Sequence, residues 1–337
     1  MTVQTGDSTE APTRRFDTLR RRRTVVTVFT ALLLALLVVG VLQRGVAPVL
    51  QTVVDGARLG LVLALIGVGL SVIFATTGIF NFAQGEFATL GAAVALWLNV
   101  AIGLPVVLVG ILAVAVGALS GYASERLLWR PLRARRVDTT SALVVAIGLG
   151  LVLRHLFLAF MGGSSRSYNE YTVQTQLELG GVSITPKALW SIVICLAALG
   201  LLALFLKRTR AGQAIRAVSD DKTLAEASGI AVNSQLSLVW AVGGGLAALG
   251  GVLLGLVEQV RWDMGNQVLL LVIAGVTLGG LGTVMGAVVG SAIVGIATQA
   301  STLWIPAELK YVTALALLIL ILLIRPQGIF GRRERLG

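Results

Sequence analysis

Among its 337 residues the chain holds one cysteine and one histidine. A lone thiol excludes an internal disulfide framework, and His155 alone cannot build a His/Cys metal site or a Ser-His hydrolase. Cys195 lies inside an apolar run and reads as a buried structural thiol. Charge is also scarce: charged residues are 13% of the chain, with 16 acidic against 27 basic. No G-x-S-x-G, H-E-x-x-H or G-x-x-x-x-G-K-[ST] occurs, so an elbow nucleophile, a zincin helix and a loop for ATP phosphates are missing. The acids Glu86 and Glu258 fall at the ends of apolar segments, which leaves no chain of buried proton relays of the kind a secondary pump needs.

What fills the chain is apolar. Hydrophobic residues make up 56% and the mean hydropathy is +0.90, the balance of a membrane protein rather than a soluble domain. Segments near 24–43, 57–78, 86–103, 105–124, 139–161, 188–206, 235–257, 268–281, 283–300 and 311–324 are each long enough, or nearly so, to cross a hydrocarbon core of about 30 Å. The 268–281 run is short and broken by glycine. The expectation is an all-α polytopic membrane protein of about 8–10 transmembrane helices.

Basic residues gather in four places: the N-terminal tail (Arg14, Arg15 and the run 20–23), 126–136, 207–222 and 325–335. The positive-inside rule assigns all four to the cytoplasm, which requires an even number of crossings between them and both termini inside. Residues 1–23 then form a cytoplasmic basic tail, and 24–43 a retained N-terminal helix, since that run lacks a clear signal-peptide cleavage site. The body of the protein spans 51–331, and 332–337 form a second cytoplasmic tail. Trp97, Trp190, Trp262 and Trp304 fall near the outer face and Trp129 near the inner one, as interfacial anchors do.

Three interruptions of the apolar pattern stand out. The first is the polar, basic island at 207–234. There Ala211, Ala214, Ile215 and Val218 recur at helical spacing on one face, with Arg210, Gln213 and Arg216 on the other. Asp220 is positioned to cap a second short helix over 221–228, and Gly229 to end it with positive φ. Two short amphipathic helices on the cytoplasmic side make a docking surface. The second is GIFNFAQGEF at 78–87, where Asn81, Gln84 and Glu86 lie between two apolar segments. They read either as lining of a pathway or as a cytoplasmic turn. The third is the glycine-rich stretch 243–295: Gly282, Gly286 and Gly290 stack on one helical face, and Gly279–Gly282 reads either as tight packing or as a broken helix on the translocation path. Breaks in both halves hint at an internal repeat. The polar stretch 162–187 is the longest outer loop, a connector or a docking element.

The residues resemble the permease subunits of branched-chain amino acid ABC importers, from about Gln51 to Gly331. GARLGLVLALIGVGLSVIFATTGIFNFAQGEFATLGA (56–92), LLWRPLRARR (127–136), TRAGQAIRAVSDDKTLAEASGIAVNSQLSLVWAVGGGLAALGGVLLG (209–255) and RPQGIFG (325–331) carry the likeness. Family members usually have His where this chain has Gln84, and the 24–43 helix lies outside the strongest likeness. The resemblance implies a polytopic permease domain in a bacterial inner membrane, without cofactor, metal or catalytic residue. It implies as partners a cytoplasmic ATPase on another chain, a second, paralogous permease and an extracytoplasmic solute-binding protein, all working in the lipid bilayer.

On this reading the ATPase pushes on the short helices of the island. Gly212 and Gly229 set its shape and Arg216, Asp220 and Glu226 its polar contacts, while Asn81, Gln84, Glu86, Gly279 and Gly282 border the path. The solute is a branched-chain amino acid or a related small molecule. The alternative is a passive channel or uniporter for a small neutral solute such as urea or an amide, which leaves the 207–234 island without a role.

Overall fold

The computed structural model describes residues 34–169, 175–179, 181–306, 309–324 and 328–331. The tails expected at 1–23 and 332–337, and the first part of the 24–43 segment, lie outside the described residues.

Each expected apolar segment coincides with a helix. In chain order these are α1 (Leu34–Arg44), then α2 (Val46–Thr77), α3 (Gln84–Ala101), α4 (Val106–Ser124), α5 (Arg130–Ala134), α6 (Thr139–Met161), α7 (Pro186–Arg208), α8 (Arg210–Asp220), α9 (Lys222–Ala227), α10 (Val232–Val257), α11 (Met264–Gly279), α12 (Val284–Ser301) and α13 (Lys310–Ile324). Among the described residues six spans are long and apolar enough to cross a membrane: α2, the continuous run Val106–Ala134, α6, α7, α10 and α12. Helices α1, α11 and α13 are apolar but shorter, and α3 is diluted by Gln84, Glu86 and Asn99.

The loop at 162–187 is not wholly irregular. It contains an antiparallel hairpin of β1 (Leu177–Leu179) and β2 (Val182–Ile184), with Leu177 opposite Ile184. The Leu-Glu-Leu and Val-Ser-Ile alternations flank a Gly-Gly pair, a two-residue hairpin signal. Arg166 also bridges to Val260, tying this loop to the segment after α10.

Burial sorts the helices. The apolar window of α2 is 83% buried and that of α10 72%, whereas those of α6 and α7 are 11% and 17% buried. A helix apolar all round belongs in the centre of a bundle, and α2 and α10 take that place. They do so through small residues. A Cβ built on Gly60 would lie 2.7 Å from Cα of Ala292 in α12, and one on Gly56 2.6 Å from Cα of Ile296. On α10, Gly243 meets Ile73 of α2, Gly244 meets Gly117 and Gly121 of α4, and Gly251 meets the Ala88 carbonyl of α3. In lipid, where water does not drive apolar surfaces together, such close backbone approach supplies the packing attraction.

Helix α2 also defines the two ends of the bundle. Near its start Gln51 exchanges hydrogen bonds with Ser183 of β2, at 3.1 and 2.9 Å. Near its end the Ala75 carbonyl accepts from Ser219 of α8 at 3.2 Å. Its 32 residues rise about 48 Å, more than the roughly 30 Å of hydrocarbon it must cross.

Trp129 departs from the interfacial role expected of it. It is fully buried, stacked on Trp240 of α10 at 5.2 Å between ring centroids, and its indole N–H donates to Ser124. A π-helical turn, Glu125–Trp129, joins α4 to α5 and aims the ring inward. Trp97 and Trp190, by contrast, are well exposed.

Replacing Gly251 by alanine drives a methyl into the Ala88 carbonyl. Overpacking costs about 1–3 kcal/mol, more than the roughly 1 kcal/mol a helical Gly→Ala change gains. Gly251→Ala is therefore expected to lower the thermal midpoint of the purified protein. Gly148→Ala, with nothing within 4 Å of the new methyl, is expected to leave it level or raise it.

Candidate functional site

The end of the bundle that carries α8 and α9 also carries the Arg-rich α5. The step from α7 to α8 is tight: any side chain at Gly212 would run into the Phe205 carbonyl and Leu206. Thr209 caps α8, its hydroxyl accepting from the Gly212 N–H at 3.0 Å. Gly212, Ile215 and Val218 face inward and are buried, while Arg210, Gln213, Arg216 and Asp220 are exposed. The cap of α9 is Asp221 and not Asp220. The Asp221 carboxylate accepts from Leu224 N–H at 3.0 Å, since Asp221 has the extended backbone an N-cap needs whereas Asp220 is still helical within α8. Glu226 is exposed on α9, and Gly229, at φ +83°, turns the chain into α10.

This pair of short helices is fixed to the bundle at several points. Val218, Ala225 and Leu236 form a small apolar cluster joining α8, α9 and α10. Ser219 reaches α2, as above, and Gly212 abuts α7. Arg133 of α5 pairs with the fully buried Glu125. Lys222, at the start of α9, is held below the ordinary lysine pKa by partial burial first and by the nearby Arg133 guanidinium second.

The 78–87 interruption is not an exposed turn. After Gly78 the chain re-enters the bundle, and Asn81, Gln84 and Glu86 are all buried. The Gln84 amide donates to the Gly243 carbonyl at 3.0 Å and reaches Ile66 O at 3.5 Å. Ile66 lies about three turns before the end of α2, so α3 starts deep in the protein. Asn81 donates to Gln84 at 3.2 Å and accepts from Ala83 N–H at 3.1 Å. Thr89 donates to Glu86 at 3.2 Å and accepts from Gly265 N–H at 3.0 Å. The N-termini of α3 and α11 therefore meet, with Gly85 against Gly265.

Gly279 and Gly282 lie elsewhere. They border a turn between the antiparallel α11 and α12 at the α8–α9 end, with Gly282 beside Phe74 and Ala75. Gly279 packs on Gly286, and its carbonyl accepts from Phe330 N–H at 2.8 Å. The partner of the α3 break is thus the start of α11, not this turn.

The opposite end holds a feature that reading along the sequence missed. Gln51, Asp55 and Arg58 fall at i, i+4 and i+7, one polar face on an otherwise apolar helix, and that spacing was the available signal. Asp55 and Arg58 front a cleft of about 220 Å³ whose other walls are Val54, Ser183, Ile184, Thr185, Lys187, Ala188, Ile192 and Val257. A narrow recess of about 10 Å³ continues it past Ser191, and a second cleft of about 250 Å³, reaching Glu258, shares Lys187 and Val257 with it.

A bundle of crossing helices with a re-entrant break, an amphipathic pair locked beneath its central helices and a charged cleft at the far end defines a membrane transport subunit. The sequence matches the family profile of the permease component of branched-chain amino acid transport systems over residues 52–322. Among named relatives, the high-affinity branched-chain amino acid transport system permease protein LivH of Escherichia coli K12 is 31% identical over 299 residues, covering 85% of this chain and 96% of its own. BraD of Pseudomonas aeruginosa, with the same description, is 31% identical over 303 residues with the same coverage. A probable LivH of Methanocaldococcus jannaschii is 29% identical, covering 80% of this chain and 88% of its own. The chain belongs to this family of multi-pass membrane permeases.

Two substitutions test the local geometry. Gln84→Ala strands the buried Asn81 amide and removes a bond to α10. The expected loss is about 1–3 kcal/mol, read as a lower midpoint in thermal unfolding of the purified protein. Asp221→Ala removes a cap worth about 1 kcal/mol, whereas Asp220→Ala is expected to leave the midpoint within error.

Proposed function

We propose that this chain is the membrane subunit of an ATP-driven importer, carrying branched-chain amino acids into the cytoplasm, and that ATP is hydrolysed by a separate chain. The observation that carries this reading is the α8–α9 platform. Its apolar face is anchored to α2, α7 and α10, and its polar face, with Arg216, Asp220 and Glu226, is left to solvent. A rigid pair so arranged receives a push and hands it to three long helices. The sequence has no P-loop of its own, so the push comes from a partner ATPase docked here.

The basic residues of α5, α8 and α9 put this end in the cytoplasm by the positive-inside rule, with both termini on the same side. The cleft at Asp55 and Arg58 then faces outward, where an extracytoplasmic binding protein delivers solute. A second, paralogous permease completes the membrane part. Asn81, Gln84 and Glu86 hold the two converging helix starts and act on the path through backbone position. Gly279 and Gly282 give the α11–α12 turn room beside α2. ATP binding displaces α8–α9 and changes the relative population of outward- and inward-open states.

The test is leucine uptake into vesicles carrying this chain, its partner permease, the ATPase and the binding protein. Uptake is expected to require ATP inside the compartment that faces α8–α9. Arg216→Glu with Glu226→Arg is expected to cut uptake by about tenfold or more, as loss of interfacial charge pairing does, while the bundle remains folded. Leucine flux that persists without ATP or ATPase refutes the reading in favour of a passive channel.

A further inference from the structure

We propose that the cleft between α2, α7 and the end of α10 is a solute site that reads both charges of a free α-amino acid, so that the permease itself selects zwitterions. This rests on the import reading above. Arg58 is half-buried in an apolar helix, and none of the ion pairs among the described residues involves it. Asp55 and Glu258 are the carboxylates whose fields reach it. Asp55 accepts from Gln51 at 2.9 Å, which holds its carboxylate toward the cleft that it lines together with Arg58. Behind Arg58 lies Ser191, fully buried, with the Cys195 thiol one turn further along α7 as its neighbour. A half-buried cation with no ion-pair partner among the described residues is costly unless something occupies the cleft beside it.

The occupant is defined by chemistry. A guanidinium presents a planar fork suited to a carboxylate. Asp55, one turn along the same helix face, takes an ammonium. Val54, Ile184, Ala188, Ile192 and Val257 give an apolar wall for an aliphatic side chain. At about 30 Å³ per water, 220 Å³ holds about seven waters, the scale of a small amino acid and not of a sugar polymer or peptide. Urea and simple amides, which carry neither charge, leave Arg58 and Asp55 unpaired.

Position supports the same role. The three helices that form the cleft, α2, α7 and α10, are the three that α8–α9 grips at the other end of the bundle. A displacement of the platform reaches Arg58, Lys187 and Val257 along rigid elements, with no further hinge needed, so the site can hold solute in one state and release it in the other.

The experiment uses the assembled complex without binding protein or ATP, photolabelled with a leucine analogue bearing a side-chain diazirine, followed by peptide mapping. Labels are expected within Val54–Leu59, Ile184–Ile192 or Leu253–Glu258. Leucine is expected to compete about tenfold or more better than isocaproate, which lacks the ammonium, or leucinamide, which lacks the carboxylate, as for loss of one charged hydrogen bond. Arg58→Gln and Asp55→Asn are expected to reduce labelling similarly and Arg58→Lys less, with assembly checked by co-purification of the ATPase. If a variant fails to assemble, the wild-type map and competition order still decide. Labels elsewhere, or equal competition by the singly charged analogues, overturn the site. A complete complex that imports no leucine with ATP and binding protein overturns the import reading instead.

Discussion

The structure depends on backbone-to-backbone contact between α2 and its neighbours. Gly56 and Gly60 let α12 lie directly on α2, and Gly69 and Gly243 do the same for α10. Within a bilayer these contacts replace the hydrophobic drive that packs soluble cores, because lipid tails solvate leucine as well as another helix does. The leucine-rich α6 and α7 can therefore stay at the rim, with Val144, Leu151, Val193 and Leu201 exposed, at no loss to the protein. Glycines set the closest helix contacts at the centre, Leu63, Leu65, Ile66 and Leu70 of α2 fill the space around them, and large aliphatic side chains also cover the periphery.

A tight centre makes room for polar backbone inside it. The segment after Gly78 enters the bundle without helical structure, which is tolerable at membrane depth only where protein supplies the hydrogen bonds. Gln84 and Asn81 supply them, binding each other and the carbonyl of Gly243. Thr89 does the same for the start of α11 through the Gly265 N–H. The two helix starts are thus welded where they meet, and neither α3 nor α11 is free to slide along the other.

Transmission follows from this rigidity. Helices α2, α7 and α10 run from the α8–α9 platform to the charged cleft, α2 and α10 through the closely packed centre and α7 along the rim. Close-packed interiors move as blocks rather than deforming continuously. A platform held by Ser219, by the Val218–Ala225–Leu236 cluster and by the Gly212 contact therefore shifts whole helices. The stacked Trp129–Trp240 pair and the pairing of Arg133 with the buried Glu125 bind α5 to the same block.

The sequence alone was enough to determine the membrane class, the apolar segments, the amphipathic face Ile215–Val218 and the turn at Gly229. Each is a local pattern: run length, helical spacing, or a residue that alone adopts positive φ without strain. It misassigned the cap to Asp220, because two adjacent aspartates differ only in where α8 stops. It placed Trp129 at an interface, because a π-turn that rotates one ring inward leaves no periodic trace. It marked glycine breaks in both halves without saying what each meets, and the tertiary structure joins the start of α3 to Gly265 through contacts distant in sequence. Only that assembly revealed that Asp55 and Arg58 of α2 face Lys187 and Ile192 of α7 across one cleft. Spacing fixes which residues share a helix face, but which face meets which neighbour is decided by the packing of the whole bundle.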